Sequence, residues 1–303
     1  MCFYYVYFFK LFNFILFKHI KQMKRALLIG INYIGTENAL AGCINDITNI
    51  SNILTNRCGY NKNDVTVLTE KSSMSPTRQN IEDKVKALSL NCKSGDTLFF
   101  YYSGHGSEIA DKSGDETDGK DSVLVPLDYT TKGVVTDDWL FTNLAAVLPA
   151  GVTLWAFTDC CHSGTMFDLQ YNFECKSTYK NGAIGKKIDY VPSQWSNQYN
   201  FSNEKNKLTT GDVYMFSGCL DPQTSADAFI RNQSQGAFTA CLLEFIDKNS
   251  IKSADGSMKF NSGSKKIIDV LKEVNCRLII NGFDQRPQLS TGRVQDISKV
   301  FNI

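Results

Sequence analysis

The chain is expected to fold as an α/β protein with a mostly parallel central sheet flanked by helices on both faces. Short apolar runs alternate with amphipathic stretches from residue 25 to about residue 102, and two apolar runs stop abruptly in reactive side chains and glycines. Strand and helix patterns that alternate in this way imply crossover connections and a parallel sheet. Open α/β sheets present their functional groups at the carboxyl edge. With 303 residues and a hydrophobic fraction of 43%, the chain can bury a sizeable core.

Residues 25–29, RALLI, read as a first buried strand that runs into Gly30 and a polar loop. From 39 to 56, Leu40, Cys43, Ile44, Ile47, Ile50, Ile53 and Leu54 recur at helical spacing. Residues 64–69 form a second strand. Ser75 and Pro76 then open a second helix, with Pro76 suited to its first turn, and 96–102, DTLFFYY, form a third strand. An acidic loop at 111–121 precedes a short strand near 123–126 and a helix after Thr136-Asp137-Asp138. A fourth buried strand, within 152–158, leads into Asp159-Cys160-Cys161-His162-Ser163-Gly164. Residues 175–211, rich in Lys, Asn, Ser and Gly, read as an exposed loop. Strand character returns at 212–217, helical periodicity at 238–246 and 267–278, and Pro287 marks a final edge strand, since proline cannot donate to a ladder.

Composition excludes several classes of function. The net charge is +1, from 32 basic and 31 acidic residues, so no global field recruits nucleic acid or an anionic membrane. Ten cysteines at irregular spacing, with no CxxC pair, point to free thiols in a reducing compartment rather than to a disulfide scaffold or a zinc site. The expected location is cytoplasmic. Residues 2–20 are apolar and aromatic but interrupted by Lys10, Asn13 and Lys18; this stretch is read as an anchor through which the protein could associate with a membrane, or as a dispensable extension spanning residues 1–24.

The third strand ends in Ser103-Gly104-His105-Gly106 and the fourth in Asp159-Cys160-Cys161-His162. If the two strands are parallel neighbours, their ends share one edge and His105 meets Cys161. A thiol at its reference pKa of about 8.5 is mostly protonated at neutral pH, so a nucleophilic cysteine needs a nearby base. His105, between two glycines, can supply one. His162 is given a structural role, because neighbouring side chains at a strand end diverge. Cys160 and Cys161 face opposite ways, and alternation alone does not say which looks into the site.

Tyr102-Ser103-Gly104-His105-Gly106 together with Asp159-Cys160-Cys161-His162-Ser163-Gly164 resembles the paired motif of the metacaspases, caspase-like cysteine peptidases of clan CD. The similarity runs from about Arg25 to the carboxyl terminus and includes Phe216-Ser217-Gly218-Cys219 and Gln223-Thr224-Ser225-Ala226-Asp227. The short linker resembles type I members, although no proline-rich or zinc-finger prodomain is present. The resemblance implies a caspase-like sandwich over residues 25–303. Within it, 25–175 form a large-subunit-like part, 176–211 an exposed linker and 212–303 a small-subunit-like part.

By the same resemblance Cys161 is the nucleophile and His105 the general base and acid. Asp159 and Asp46, with Cys43 and Ser103 beside them, line a pocket for a substrate Arg or Lys at P1. Two carboxylates at a pocket floor suit such a cation and repel aspartate. Asp121, Asp137, Asp138 and Asp168 match the family's calcium site and supply the hard oxygen ligands that Ca2+ prefers. The expected activity is a calcium-dependent endopeptidase that acts on proteins or peptides as a monomer. It is expected to process itself after a lysine of the linker, with Lys186, Lys187, Lys205 and Lys207 available. The alternative is a catalytically silent caspase-like binding module, whose mark would be a lost nucleophile, base or pocket carboxylate; none is lost.

Overall fold

The computed structural model describes residues 22–112, 114, 119–161, 166–174, 207–219, 227–230 and 233–303. The alternation expected of the first hundred residues is present: β1 (Lys24–Gly30), α1 (Cys43–Arg57), β2 (Val65–Thr69), α2 (Arg78–Ser89) and β3 (Thr97–Ser103). A hairpin and a short third strand follow, β4 (Gly106–Ala110), β5 (Lys120–Leu124) and β6 (Val135–Thr136), with the one-turn helices α3 (Tyr129–Lys132) and α4 (Asp137–Leu140). The chain then returns to the main sheet in β7 (Thr153–Asp159), β8 (Tyr171–Glu174) and β9 (Asp212–Ser217). The carboxyl-terminal part contributes β10 (Asp227–Ile230), β11 (Gln233–Gly236), α5 (Ala237–Lys248), β12 (Ser250–Lys252), β13 (Met258–Phe260), α6 (Ile267–Ile280) and β14 (Gln288–Thr291).

Seven strands form the central sheet in the order β2-β1-β3-β7-β9-β14-β8. β2, β1, β3, β7 and β9 pair in parallel, and β14 pairs antiparallel with both β9 and β8. Strand alternation divides the core in two. Phe99, Tyr101, Trp155, Phe157, Tyr214 and Phe216 pack with α1, α5 and α6 on one face. Leu98, Phe100, Tyr102, Leu154, Ala156, Val213 and Met215 pack with α2 and the 140–145 turn on the other. Burial on both faces explains why these strands read as almost unbroken apolar runs. On the first face the rings stack across strands, with Phe157 5.1 Å from Phe99, 5.8 Å from Tyr101 and 5.1 Å from Phe216.

Three expectations need correction. Ser75 and Pro76 lie before the amino-terminal cap of α2 rather than in its first turn; Thr77 is the cap, its Oγ1 accepting the Asn80 N–H at 3.3 Å. The strand after Pro287 is not an edge: β14 lies between β9 and β8, because the proline precedes the strand and leaves its ladder donors intact. The expected cytoplasmic location with membrane association through residues 2–20 is not upheld. No helix among the described residues is long and apolar enough to cross a membrane, the longest being the 15 residues of α1, and residues 2–20 lie outside the described residues.

Because Phe157 is fully buried at the centre of the stacked face, Phe157→Ala is expected to destabilise the fold by about 3–5 kcal/mol. Chemical denaturation of the two proteins measures it, and a loss below about 1 kcal/mol would show that the neighbouring rings collapse into the space.

Candidate active site

The loop after β1 prepares the site before any reactive group enters it. Glu70 accepts the N–H groups of Asn32 and Ile34 at 3.0 and 3.2 Å, and Asn32 Oδ1 accepts the Ile44 N–H at 3.1 Å. Tyr33, at φ 50°, turns the chain so that its ring lies 4.7 Å from the imidazole of His105. The Tyr33 hydroxyl donates to the Val125 carbonyl at 2.6 Å and accepts the His105 N–H at 3.0 Å. Tyr102 donates to the His105 carbonyl at 2.7 Å. Two buried phenols therefore grip the backbone of this turn on both sides.

β3 and β7 pair with Ser103 opposite Asp159. His105 and Cys161 each lie two residues beyond that matched pair, at one sheet edge, as the two strand ends predict. Gly106 closes the gap: a Cβ there would collide with the Cys161 carbonyl oxygen and lie 3.1 Å from Cys160 Sγ. His105 Nε2 is 2.7 Å from the Asn38 carbonyl oxygen. A carbonyl can only accept, so Nε2 is the donor, and in the neutral imidazole Nδ1 holds the lone pair.

The structure distinguishes the two adjacent cysteines. Cys160 is buried in the core on the α2 face, and burial, followed by the neighbouring Cys219, pushes its thiol well above the usual range. Cys161 is partly exposed. His162 lies outside the described residues.

Asp46 and Asp159 converge from different elements. Asp46, in the first turn of α1, is fully buried and accepts the Ser103 hydroxyl at 2.8 Å. Cys43, also buried, stands one helical turn before it. Asp159, at the end of β7, accepts the N–H and the hydroxyl of Thr239 at 2.9 and 2.6 Å. Both carboxylates crowd Gly236, where a Cβ would collide with Asp159 Oδ2 and lie 3.0 Å from Asp46 Oδ2. Their charge is felt nearby: the Tyr101 phenol is pushed well above its usual range by burial, then by Asp159 and Asp46.

The other four aspartates gather on the opposite side of β7. Burial, then the charges of Asp168 and, more weakly, Asp121, push Asp137 up to about 10, while N–H bonds from Asp138 and Ser122 oppose the shift. Asp168, at φ 46°, and Asp138 are bridged by the Lys207 ammonium, 2.7 Å from an oxygen of each. Among the described residues no group of three or more His, Cys, Asp or Glu side chains is spaced to hold a metal ion. All four side chains are hard oxygen donors, and Lys207 is the cation that Asp138 and Asp168 face here. Of the linker lysines considered as self-processing positions, Lys186, Lys187 and Lys205 lie outside the described residues; Lys207 is buried in this ion pair.

Sequence reasoning did not single out Tyr33, Asn38, Gly236 or Thr239. They come from a polar loop, from the cap of α5 and from its first turn, and nothing in their local pattern distinguishes them from ordinary loop, cap and helix residues. Lys207 was named only as one of several linker lysines.

Comparison with known proteins places the chain in a family. The family model described as metacaspase, peptidase C14 domain, matches residues 24–170. Metacaspase-1 of Candida glabrata is 33% identical over 307 residues, covering 92% of this chain and 75% of that protein. Metacaspase-1 of Schizosaccharomyces pombe is 33% identical over 305 residues, covering 91% and 68%. A Geobacter sulfurreducens protein of known crystal structure superposes with a TM-score of 0.60 at 25% identity, covering 92% of this chain and 97% of that one. With a mostly parallel sheet, a cysteine and a histidine at matched strand ends, and this similarity along most of its length, the chain belongs to the metacaspase family and is a cysteine-type peptidase.

Proposed function

We propose that the chain is a calcium-dependent endopeptidase that cleaves after Arg or Lys, with Cys161 as nucleophile and His105 as general base and then general acid. The observation that supports this reading is the register of β3 and β7, which brings the strand ends that lead to His105 and to Cys161 to the edge where Asp46 and Asp159 also converge. With Nε2 committed to the Asn38 carbonyl, His105 Nδ1 takes the thiol proton and Sγ attacks the carbonyl carbon after the basic residue. Backbone N–H groups near Gly106 and Cys161 receive the oxyanion. Collapse breaks the C–N bond, and the leaving amine takes the proton from His105. Water then hydrolyses the thioester, with His105 again acting as base. Asp46 and Asp159 supply the negative charge that selects a cationic P1 side chain and disfavours an acidic one.

Peptides that differ only in P1 test the specificity. Arg and Lys substrates are expected to turn over and Asp substrates to remain intact, with Cys161→Ala and His105→Ala both inactive. Asp46→Asn should lower kcat/KM for the Arg peptide about thirtyfold or more, since it removes one charge of a buried pair. Equal turnover of Arg and Asp peptides would rule out the pocket assignment.

Asp121, Asp137, Asp138 and Asp168 are the residues that would hold calcium, and Lys207 must leave Asp138 and Asp168 for the ion to enter. Bound there, calcium would supply the positive charge that this cluster otherwise draws from Lys207. Turnover of an Arg peptide is expected to need millimolar calcium and to be lost in Asp138→Ala; full activity in a chelator would sink this part of the reading.

Asp137 also predicts a pH dependence of stability. Its folded pKa of about 10 lies above the unfolded value of about 3.9, so the folded chain keeps a proton that the unfolded chain has released. That stabilisation is complete below about pH 4 and is lost as pH rises through about 10. In calcium-free buffer, the Tm of the wild type should fall between about pH 6 and about pH 9 more steeply than that of Asp137→Asn. Parallel slopes would remove Asp137 as the source.

A further inference from the structure

The first turn of α5 lies against both pocket carboxylates. Gly236, which caps the helix, donates its N–H toward both oxygens of Asp46 at 3.1 Å. Three residues on, Thr239 gives Asp159 Oδ2 both its N–H and its hydroxyl, at 2.9 and 2.6 Å. The Tyr101 hydroxyl is 2.7 Å from Thr239 Oγ1. A carboxylate oxygen is an acceptor only, so the single threonine proton goes to Asp159, and the phenol is the donor to Oγ1. The result is a directed chain from Tyr101 through Thr239 to Asp159, with Tyr101 and Thr239 fully buried. Burial and the two carboxylates keep the phenol protonated and therefore able to donate.

Gly236 makes this arrangement sterically feasible. Its φ of −64° suits any residue, so conformational freedom does not explain the glycine. Space does: a Cβ would collide with the same Asp159 oxygen that Thr239 holds. The α5 turn thus confines Asp159 by two donors from one side and leaves no room for a side chain beside it.

We infer that Thr239 is a positioning residue for substrate selection, fixing the orientation of the Asp159 carboxylate so that it can meet a planar, cationic P1 group. This rests on the reading that Asp46 and Asp159 receive Arg or Lys. A carboxylate free to rotate would still attract a cation, but it would lose the alignment on which paired hydrogen bonds to a guanidinium depend. Thr239 touches neither the substrate nor the reacting atoms; it acts through Asp159.

The test compares two peptides identical except at P1, one with arginine and one with its uncharged analogue citrulline, in saturating calcium. Thr239→Val keeps the shape of the side chain and removes the hydroxyl. It is expected to reduce the arginine-over-citrulline preference in kcat/KM about tenfold or more, mainly through KM. Citrulline turnover and the rate of Cys161 alkylation by iodoacetamide should be unchanged. Thr239→Ser, which restores the donor, should keep the preference within about threefold of the wild type. Gly236→Ala displaces the same carboxylate without altering Thr239 and should give the same loss, which keeps the inference testable if Thr239→Val does not fold.

Asp159→Asn separates the two levels of the argument. If it abolishes the preference while Thr239→Val and Gly236→Ala retain it, the positioning role is overturned and the pocket reading stands. If Asp159→Asn itself retains the preference, the pocket reading is overturned and the role of Thr239 with it. Equal losses on both peptides in Thr239→Val would reduce the residue to a structural support and overturn the inference.

Discussion

The parallel pairing of β3 with β7 is the constraint on which the rest of the molecule depends. Both strands are buried on both faces, so a slip of one residue would exchange Phe99, Tyr101 and Phe157 with Leu98, Phe100 and Ala156 between two differently shaped cores. Stacked rings on one face and aliphatic packing on the other hold the pairing in place. Because that register is held, Ser103 stands opposite Asp159, and the residues beyond them meet at one edge. The site therefore inherits its geometry from the core. Gly106 sits where the backbone after β3 comes up against the Cys161 carbonyl, and a larger residue would push the two strand ends apart.

Buried charge is handled in two different ways on the two sides of β7. On the α1 and α5 face, Asp46 and Asp159 are surrounded by donors from their own chain: the Ser103 hydroxyl, the Gly236 N–H, and the N–H and hydroxyl of Thr239. Buried carboxylates require such donors, and the amino terminus of a helix adds a favourable dipole. On the other face, the aspartates at 121, 137, 138 and 168 are balanced by the Lys207 ammonium and by the raised affinity of Asp137 for a proton. The first arrangement orients negative charge. The second balances it with one ammonium and a retained proton, and a bound cation changes the pKa logic of such a cluster.

Much of this was legible in the sequence because it rests on local pattern. Apolar runs such as 96–102 and 152–158 are short enough to read as buried strands, and two of them leading to His105 and Cys161 implied a shared edge. Asp46 was singled out by the family resemblance rather than by its own pattern, and the structure buries it completely. The errors have local causes too. Pro287 suggested an edge strand, but a proline just before a strand removes no ladder bond, and β8 pairs beyond β14.

The amino-acid sequence by itself determined the α/β class, the order of the first strands and helices, and the candidate side chains at the two strand ends, because periodicity and strand-end motifs are properties of neighbouring residues. Tertiary structure decided which of two adjacent cysteines is buried, how Tyr33 and Asn38 hold the histidine turn, and how Thr239 and Gly236 confine Asp159. It also decided that a linker lysine, Lys207, lies between two aspartates. These are contacts between segments far apart in the chain. They depend on where a register, a turn and a helix end place each side chain in space, and no local pattern encodes that placement.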